Sequence, residues 1–216
     1  MAERVTADTP LVLPVTDPAW LETAAAALTA GGIVGLPTET VYGIAVLPQP
    51  EALRSLIAAK LRTAEKGIAL LIDDLDQVRD LVLMDTVARR LAERFWPGPL
   101  TLVLPLRRPG LAPEALTGGR DTQALRVPDH AVPRALARRL GPLAVSSANR
   151  SGEPDATTAG ELVTALGPSL ALVLDDGPAR GGVPSTVVAI DAHGQVRVIR
   201  EGALDRATLD SALASG

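Results

Sequence analysis

The chain has 216 residues, 47% hydrophobic and 21% charged, and its 25 acidic and 21 basic side chains leave a net charge of −4. That length suits one domain, or one with an appendage, and buries roughly 70% of the unfolded surface. The charge argues against holding nucleic acid by bulk positive potential; zero cysteine excludes disulfides and thiol chemistry, and two histidines with four aromatics leave little for a His-based metal cage, a triad or a base-stacking platform. Chemistry is left to Lys, Arg, Ser, Thr, Asn, carboxylates, backbone amides or a bound cofactor. The first residues lack a basic segment followed by an apolar one. No apolar run approaches the roughly 20 residues of a membrane span. A soluble, cytoplasmic protein is expected, with no membrane partner.

In chain order, Asp17-Pro18 predicts a helix start, Trp20, Leu21, Ala24, Ala25 and Leu28 recur at helical spacing, and Gly31-Gly32 ends the helix. A short strand over 33–36 leads into the turn Pro37-Thr38-Glu39-Thr40. A helix is predicted over 49–59 and a buried strand over 67–72. Asp85 is placed to cap a helix through Arg94, which Pro97-Gly98-Pro99 stops. The clearest strand is 100–106, followed by a loop over 109–119. Further strands are predicted at 124–127, 143–146, 171–174, 186–190 and 196–200. Helices fall at 131–139, with Asp129 as its cap, at 161–166, with Thr158 and Glu161 as a capping box, and at 206–214. Helices interleaved with strands predict an α/β fold, a single-domain twisted open mixed sheet with flanking helices. The domain is read over 1–216, its core about 17–204 and its C-terminal helix about 205–215, with no additional C-terminal domain expected.

No Walker loop, G-x-G-x-x-G, nucleophile elbow or kinase motif set is present. Six clusters carry candidate chemistry instead. Pro37 to Gly43 places Thr38, Glu39, Thr40 and the only tyrosine, Tyr42, directly after a strand, where α/β sheets open their ligand crevice. Lys60, Arg62 and Lys66 gather at a helix end; converging cations suit a polyanion such as a triphosphate, while for such a trio taken alone a solvated basic helix end is the more common explanation. Arg126, at the end of a strand with Thr122 four residues before it, calls for a carboxylate partner, from the protein or from a ligand. Ser146-Ser147-Ala148-Asn149 is a hydroxyl-rich turn after a strand, able to present donors to an anion. Ser185-Thr186 opens an apolar strand, and Arg200 ends another. The repeated theme is a strand end followed by small hydroxyls or a cation: a pocket rich in donors and poor in nucleophiles, suited to positioning an anionic ligand.

Pro-Thr-Glu-Thr-Val-Tyr-Gly (37–43), Lys60-x-Arg62, Trp96-Pro-Gly-Pro-Leu-Thr101, Arg126-Val-Pro-x-His130, Ser147-Ala-Asn149-x-Ser151-Gly152 and Pro184-Ser-Thr-Val187 occur in that order. Together they resemble the YrdC/TsaC family of threonylcarbamoyl-AMP synthases, over about residues 21–204. The resemblance implies a YrdC-like twisted sheet with a concave, positively lined cleft. It implies ATP-dependent synthesis of L-threonylcarbamoyladenylate from L-threonine and bicarbonate or CO2, with release of pyrophosphate. Downstream tRNA threonylcarbamoyltransferase proteins use that product to make N6-threonylcarbamoyladenosine. Carried over by motif, Lys60 and Arg62 are the catalytic cations. Arg62, Lys66, Thr122, Asn149, Thr157 and Arg200 face ATP, and Thr40, Tyr42, Arg126, Ser147 and Ser185 face threonine. No protein-held metal is expected; Mg²⁺ is expected with the ATP phosphates. The alternative reading is a module that binds tRNA or double-stranded RNA without catalysis, and a weak tRNA contact fits either reading. Three positions depart from the family pattern: Thr63 and Gly67 replace prolines after the cations, and Glu201 stands where proline follows Arg200.

Overall fold

Ten strands lie in one sheet among the described residues: β1 (Leu11–Pro14), β2 (Val34–Leu36), β3 (Gly43–Val46), β4 (Ala69–Leu71), β5 (Leu100–Pro105), β6 (Thr122–Arg126), β7 (Leu143–Ser147), β8 (Leu172–Asp175), β9 (Thr186–Ile190) and β10 (Val196–Arg200). Seven helices interleave with them: α1 (Trp20–Thr29), α2 (Pro50–Ala59), α3 (Thr86–Phe95), α4 (Glu114–Thr117), α5 (Ala131–Leu140), α6 (Ala159–Leu166) and α7 (Arg206–Ala214). The structure, a computed structural model, describes residues 9–61, 66–150 and 152–214. The lateral order is β1-β8-β2-β3-β7-β4-β6-β5-β9-β10. β1/β8, β2/β8, β4/β6 and β5/β9 pair in parallel and the remaining neighbours antiparallel, so the sheet is mixed, as the sequence predicts.

Side-chain caps account for much of the agreement in helix position. Asp85 Oδ1 accepts from Ala88 N at 2.7 Å, and Thr158 Oγ1 accepts from Glu161 N at 3.2 Å. Elsewhere the expected punctuation is corrected. α1 starts at Trp20 with Ala19 as its N-cap, whose methyl has no acceptor to offer, and the Asp17 carboxylate instead accepts from Ala19 N at 2.8 Å, ahead of the helix. His130, not Asp129, caps α5: its Nδ1 accepts from Val132 N at 3.2 Å, while Asp129 faces Arg180 at 3.8 Å. Burial holds the His130 imidazole below the ordinary histidine range, against the pull of the Asp176 carboxylate 3.3 Å from Nε2, and the neutral ring keeps Nδ1 an acceptor. The predicted loop 109–119 contains the single-turn α4, closed by Gly118 at φ 67°. β1 and β3 were not predicted. β3 is a four-residue apolar run hidden behind the 37–42 turn, and β1 is a short edge strand with Leu11 and Val12 exposed.

The two faces of the sheet are covered unequally. On one, α2, α3 and α6 seal a core of Ile44, Leu53, Leu56, Leu70, Leu91, Leu102, Leu104, Leu125, Leu162 and Val188. On the other, α1 and α5 pack against β8, β2, β7 and β4 over Leu28, Val34, Leu36, Leu136, Leu143 and Leu172. Beyond β4 that second face, on β6, β5, β9 and β10, lines an open cleft. Strand alternation determines what it presents. Register places Arg126, Thr101, Val187 and Arg200 in one row across the four strands, and Ala124, Val103, Ala189 and Arg197 in the next.

Candidate active site

The cleft has a volume of about 1050 Å³ and is bounded by the bare sheet face, the 37–42 turn, the end of α2 and the turn after β7. Its deep end is polar but buried: Thr40, Lys60, Arg126, Asn149 and Ser185 are each at most 9% exposed. Its mouth carries Lys66, Arg120, Arg197 and Arg200, all exposed. The net charge of −4 therefore conceals a local concentration of six cations, against which only Glu153 and Asp155 stand among the described lining carboxylates.

The 37–42 turn is held from behind. Gly181 N donates to Glu39 O and Gly182 N to Thr40 O, both at 2.8 Å, while Tyr42 N donates to Ala156 O at 2.8 Å. Gly181 must be glycine for that approach, since a Cβ there would lie 2.9 Å from Glu39 O. Tyr42 is fully buried, and its hydroxyl donates to Gly177 O at 2.7 Å. Burial first, and the neighbouring Asp175 and Asp176 carboxylates, push its phenol up to about 12. A folded value above the unfolded one of about 10 means the neutral phenol stabilises the fold fully below pH 10. That contribution is lost as pH rises towards 12. With one tyrosine in the chain, a titration at 295 nm reads it alone. The absorbance step is expected above pH 11, or together with unfolding; a step near pH 10 in the folded protein would contradict this placement.

Arg126 lies at the centre of the buried end. Its Nε donates to Gly98 O at 3.1 Å and its Nη2 to Thr40 Oγ1 at 3.0 Å. The carboxylate it requires comes from Glu39, whose Oε1 is 2.7 Å from Nη2. Neither Glu39 oxygen finds a partner of hydrogen-bonding geometry, although both are buried, so the charge on Arg126 is what makes this burial tolerable. The Trp96–Pro99 turn supplies the other wall: Gly98 N bonds Val127 O at 2.8 Å and Trp96 Nε1 bonds Leu100 O at 2.6 Å.

Lys60 behaves differently from a mobile cation at a helix end. It follows α2 immediately, turns inward and is 4% exposed. Its Nζ donates to Asn149 Oδ1 at 2.8 Å and to the backbone carbonyl of Ser147. Ser147 Oγ also donates to Asn149 Oδ1 at 2.8 Å, and Asn149 Nδ2 reaches Glu153 O at 2.6 Å. The ammonium thus organises the turn after β7 and brings positive charge under the cleft floor. Ser185 Oγ pairs with Thr101 Oγ1 at 2.8 Å, and Arg200 Nη2 donates to Ser185 O at 2.8 Å, tying the outermost strand to the site.

Thr40, Tyr42, Lys60, Lys66, Thr122, Arg126, Ser147, Asn149, Ser185 and Arg200 all line this cleft. Arg62 lies outside the described residues, as does Thr63. Thr157 is the one described position the structure leaves out: its amide and hydroxyl are both taken by Glu161 Oε2, at 2.7 and 2.9 Å, at the start of α6. Sequence reasoning assigned no role to Glu39, Thr101, Arg120 or Arg197. Glu39 and Thr101 stand inside motifs already singled out; Arg197 is three residues from Arg200 and shares its face only because the register shifts between Val198 and Arg200, a bulge that strand alternation does not signal. Gly67 allows close approach, because a Cβ would meet Thr117 O at 3.0 Å. Among the described residues no ion pair joins Glu201 to Arg200.

Comparison with known proteins agrees with this geometry. The Sua5/YciO/YrdC family model, described as telomere recombination, matches residues 26–202. The chain belongs to the Sua5/YciO/YrdC family. A threonylcarbamoyl-AMP synthase of Xanthomonas axonopodis pv. citri is 36% identical over 197 residues, 89% of this chain and 100% of that protein. One from Idiomarina loihiensis is 40% identical over 164 residues, 73% of this chain and 86% of its own length. The chain spans about half (49%) of the Bacillus subtilis threonylcarbamoyl-AMP synthase, at 40% identity over 77% of this chain. Among solved structures, P. abyssi Sua5 complexed with L-threonine superposes with a TM-score of 0.86 at 33% identity, over 94% of this chain and 60% of that one. The family's sheet architecture is therefore the one observed here, and the three curated relatives above are named threonylcarbamoyl-AMP synthases.

Proposed function

We propose that this member of the Sua5/YciO/YrdC family is a threonylcarbamoyl-AMP synthase, a nucleotidyltransferase that joins L-threonine, bicarbonate or CO2 and ATP into L-threonylcarbamoyladenylate, releasing pyrophosphate. The observation that carries the reading is the division of one cleft into a buried polar end and a cationic mouth. The L-threonine complex of the similar P. abyssi protein supports it. In this reading Thr40, Tyr42, Arg126, Ser147 and Ser185 form the amino-acid end, and Lys66, Thr122, Asn149 and Arg200 the nucleotide end, with Arg62 expected beside them.

The chemistry needs no protein nucleophile. The threonine nitrogen takes up CO2 to form a carbamate, whose oxygen attacks the α-phosphorus in line; the bond to the β,γ-pyrophosphate breaks and pyrophosphate leaves. The protein holds the two reactants in register and offsets the negative charge gathered between them. Lys60 contributes from below, and the exposed arginines grip the leaving end. Mg²⁺ in this reading arrives with the triphosphate. When bound, it would neutralise phosphate charge.

Among the described residues no helix is long and apolar enough to cross a membrane; a cytoplasmic location is part of this proposal. Transferase proteins acting on tRNA would consume the labile adenylate, and the basic mouth could meet tRNA weakly. The test is a pyrophosphate-release assay with purified protein. Release is expected only when L-threonine, bicarbonate and ATP are all present; release without threonine, or none with all three, refutes the assignment.

A further inference from the structure

The hydroxyl protons at the buried end can be assigned one by one. Thr38 Oγ1 lies 2.6 Å from Val41 O, and a carbonyl oxygen can only accept, so the Thr38 proton is committed there. Thr38 Oγ1 in turn receives Thr40 N at 3.2 Å and Val41 N at 3.3 Å. Two hydroxyl oxygens 2.9 Å apart need a proton between them, so with the Thr38 proton committed it is Thr40 that donates, and the two longer amide contacts share what remains of the Thr38 acceptor capacity. Arg126 Nη2 occupies one lone pair of Thr40 Oγ1 from 3.0 Å. Thr40 lines the cleft with its proton spent and one lone pair left. A hydroxyl in that state accepts and cannot donate, so it repels a carboxylate and receives an N–H or O–H. A substrate ammonium is the poorer partner, because the Arg126 guanidinium abuts the same oxygen.

We infer that Thr38 is a positioning residue: by holding the Thr40 hydroxyl as a pure acceptor, it makes the amino-acid end of the cleft select a substrate whose side-chain hydroxyl donates a hydrogen bond. This rests on the threonine-binding reading above and adds to it the polarity of the recognition and the residue that sets it. Thr38 serves through Thr40 and need not touch the ligand. The chemical class selected is a β-hydroxy amino acid with a free O–H, and an ether at the same position, which accepts but cannot donate, is rejected.

Calorimetric titration of wild type, Thr38→Val and Thr38→Ser with L-threonine, O-methyl-L-threonine and L-2-aminobutyrate tests this. Wild type and Thr38→Ser are expected to bind the methyl ether at least about tenfold more weakly than threonine, since a site built around a substrate O–H leaves a buried group unpaired with the analogue. In Thr38→Val the Thr40 proton is released and can turn to the ether oxygen, so that ratio falls about fivefold. The steric penalty of the extra methyl is common to all three proteins. The 2-aminobutyrate ratio, which has neither donor nor acceptor to offer, stays within about twofold. A merely structural role would weaken all three ligands together. Equal binding of threonine and its ether by wild type overturns the proposal without any variant, as does an unchanged ratio in folded Thr38→Val or a shifted ratio in Thr38→Ser. Threonine binding without pyrophosphate release would refute the synthase reading and leave this one standing; absence of threonine binding would refute both.

Discussion

Arg126→Met is expected to lower Tm by about 10 °C and to reduce threonine-dependent pyrophosphate release at least about 100-fold. Two effects separate here. Removing the guanidinium leaves the Glu39 carboxylate buried with nothing opposite it, a situation that costs roughly 3–5 kcal/mol. For a chain of this size 1 kcal/mol corresponds to about 2–4 °C. The double variant Arg126→Met/Glu39→Gln removes that charge, so most of the lost Tm is expected to return. Activity is not expected to return with it, because the donor to Thr40 and to the amino-acid end is still missing. Calorimetric melting and the release assay on the same three proteins give the answer. If Glu39→Gln fails to restore stability, the ion pair is not what holds the turn; if it restores activity, Arg126 has no part in binding.

Lys60→Met is expected to cost about 100-fold or more in turnover with a smaller fall in Tm, of the order of 5 °C. The ammonium bridges the Ser147 carbonyl and Asn149 Oδ1, so methionine of similar reach removes the charged donor from both and leaves Asn149 Oδ1 with Ser147 Oγ and the Ser147 carbonyl with Asn149 N. Loss of one preorganised donor to developing charge lowers rates by about 100- to 1000-fold in well-studied hydrolases. Lys60→Arg is not expected to rescue, because the planar guanidinium does not fit a site closed around a single ammonium. Steady-state pyrophosphate release at saturating ATP and threonine measures both. Near-wild-type turnover by Lys60→Met would reduce Lys60 to a packing role.

What sequence could and could not show follows from the range of the interactions involved. β9, β10 and α7 were legible to the residue because apolar alternation and helical spacing are local. Asp85 and Thr158 were legible as caps because a short side-chain oxygen bonds an amide two or three residues on. The His130 cap was not, since an imidazole accepts at that position only if kept neutral by surroundings that other segments provide. The donor-rich cleft could be inferred from strand ends followed by hydroxyls and cations, because those residues, Thr157 excepted among the described ones, line one pocket. Its wiring could not. Arg126 meets Glu39 and Thr40 because β4 and β7 separate β6 from β3 in the sheet, an order no local pattern encodes. Thr157 illustrates the converse: a hydroxyl near the right motif whose bonding is settled by its own helix.

The unequal covering of the sheet has one more consequence. Where α1 and α5 lie, the protein is three layers thick; at β6, β5, β9 and β10 it is two, the cleft lying on the bare face. A ligand lying along the rows from Arg126 to Arg200 and from Ala124 to Arg197 fills the vacancy as a helix would, covering apolar side chains and pairing the charges beside them. Under the proposed function, substrate would stand over this half of the sheet where α1 and α5 stand over the other.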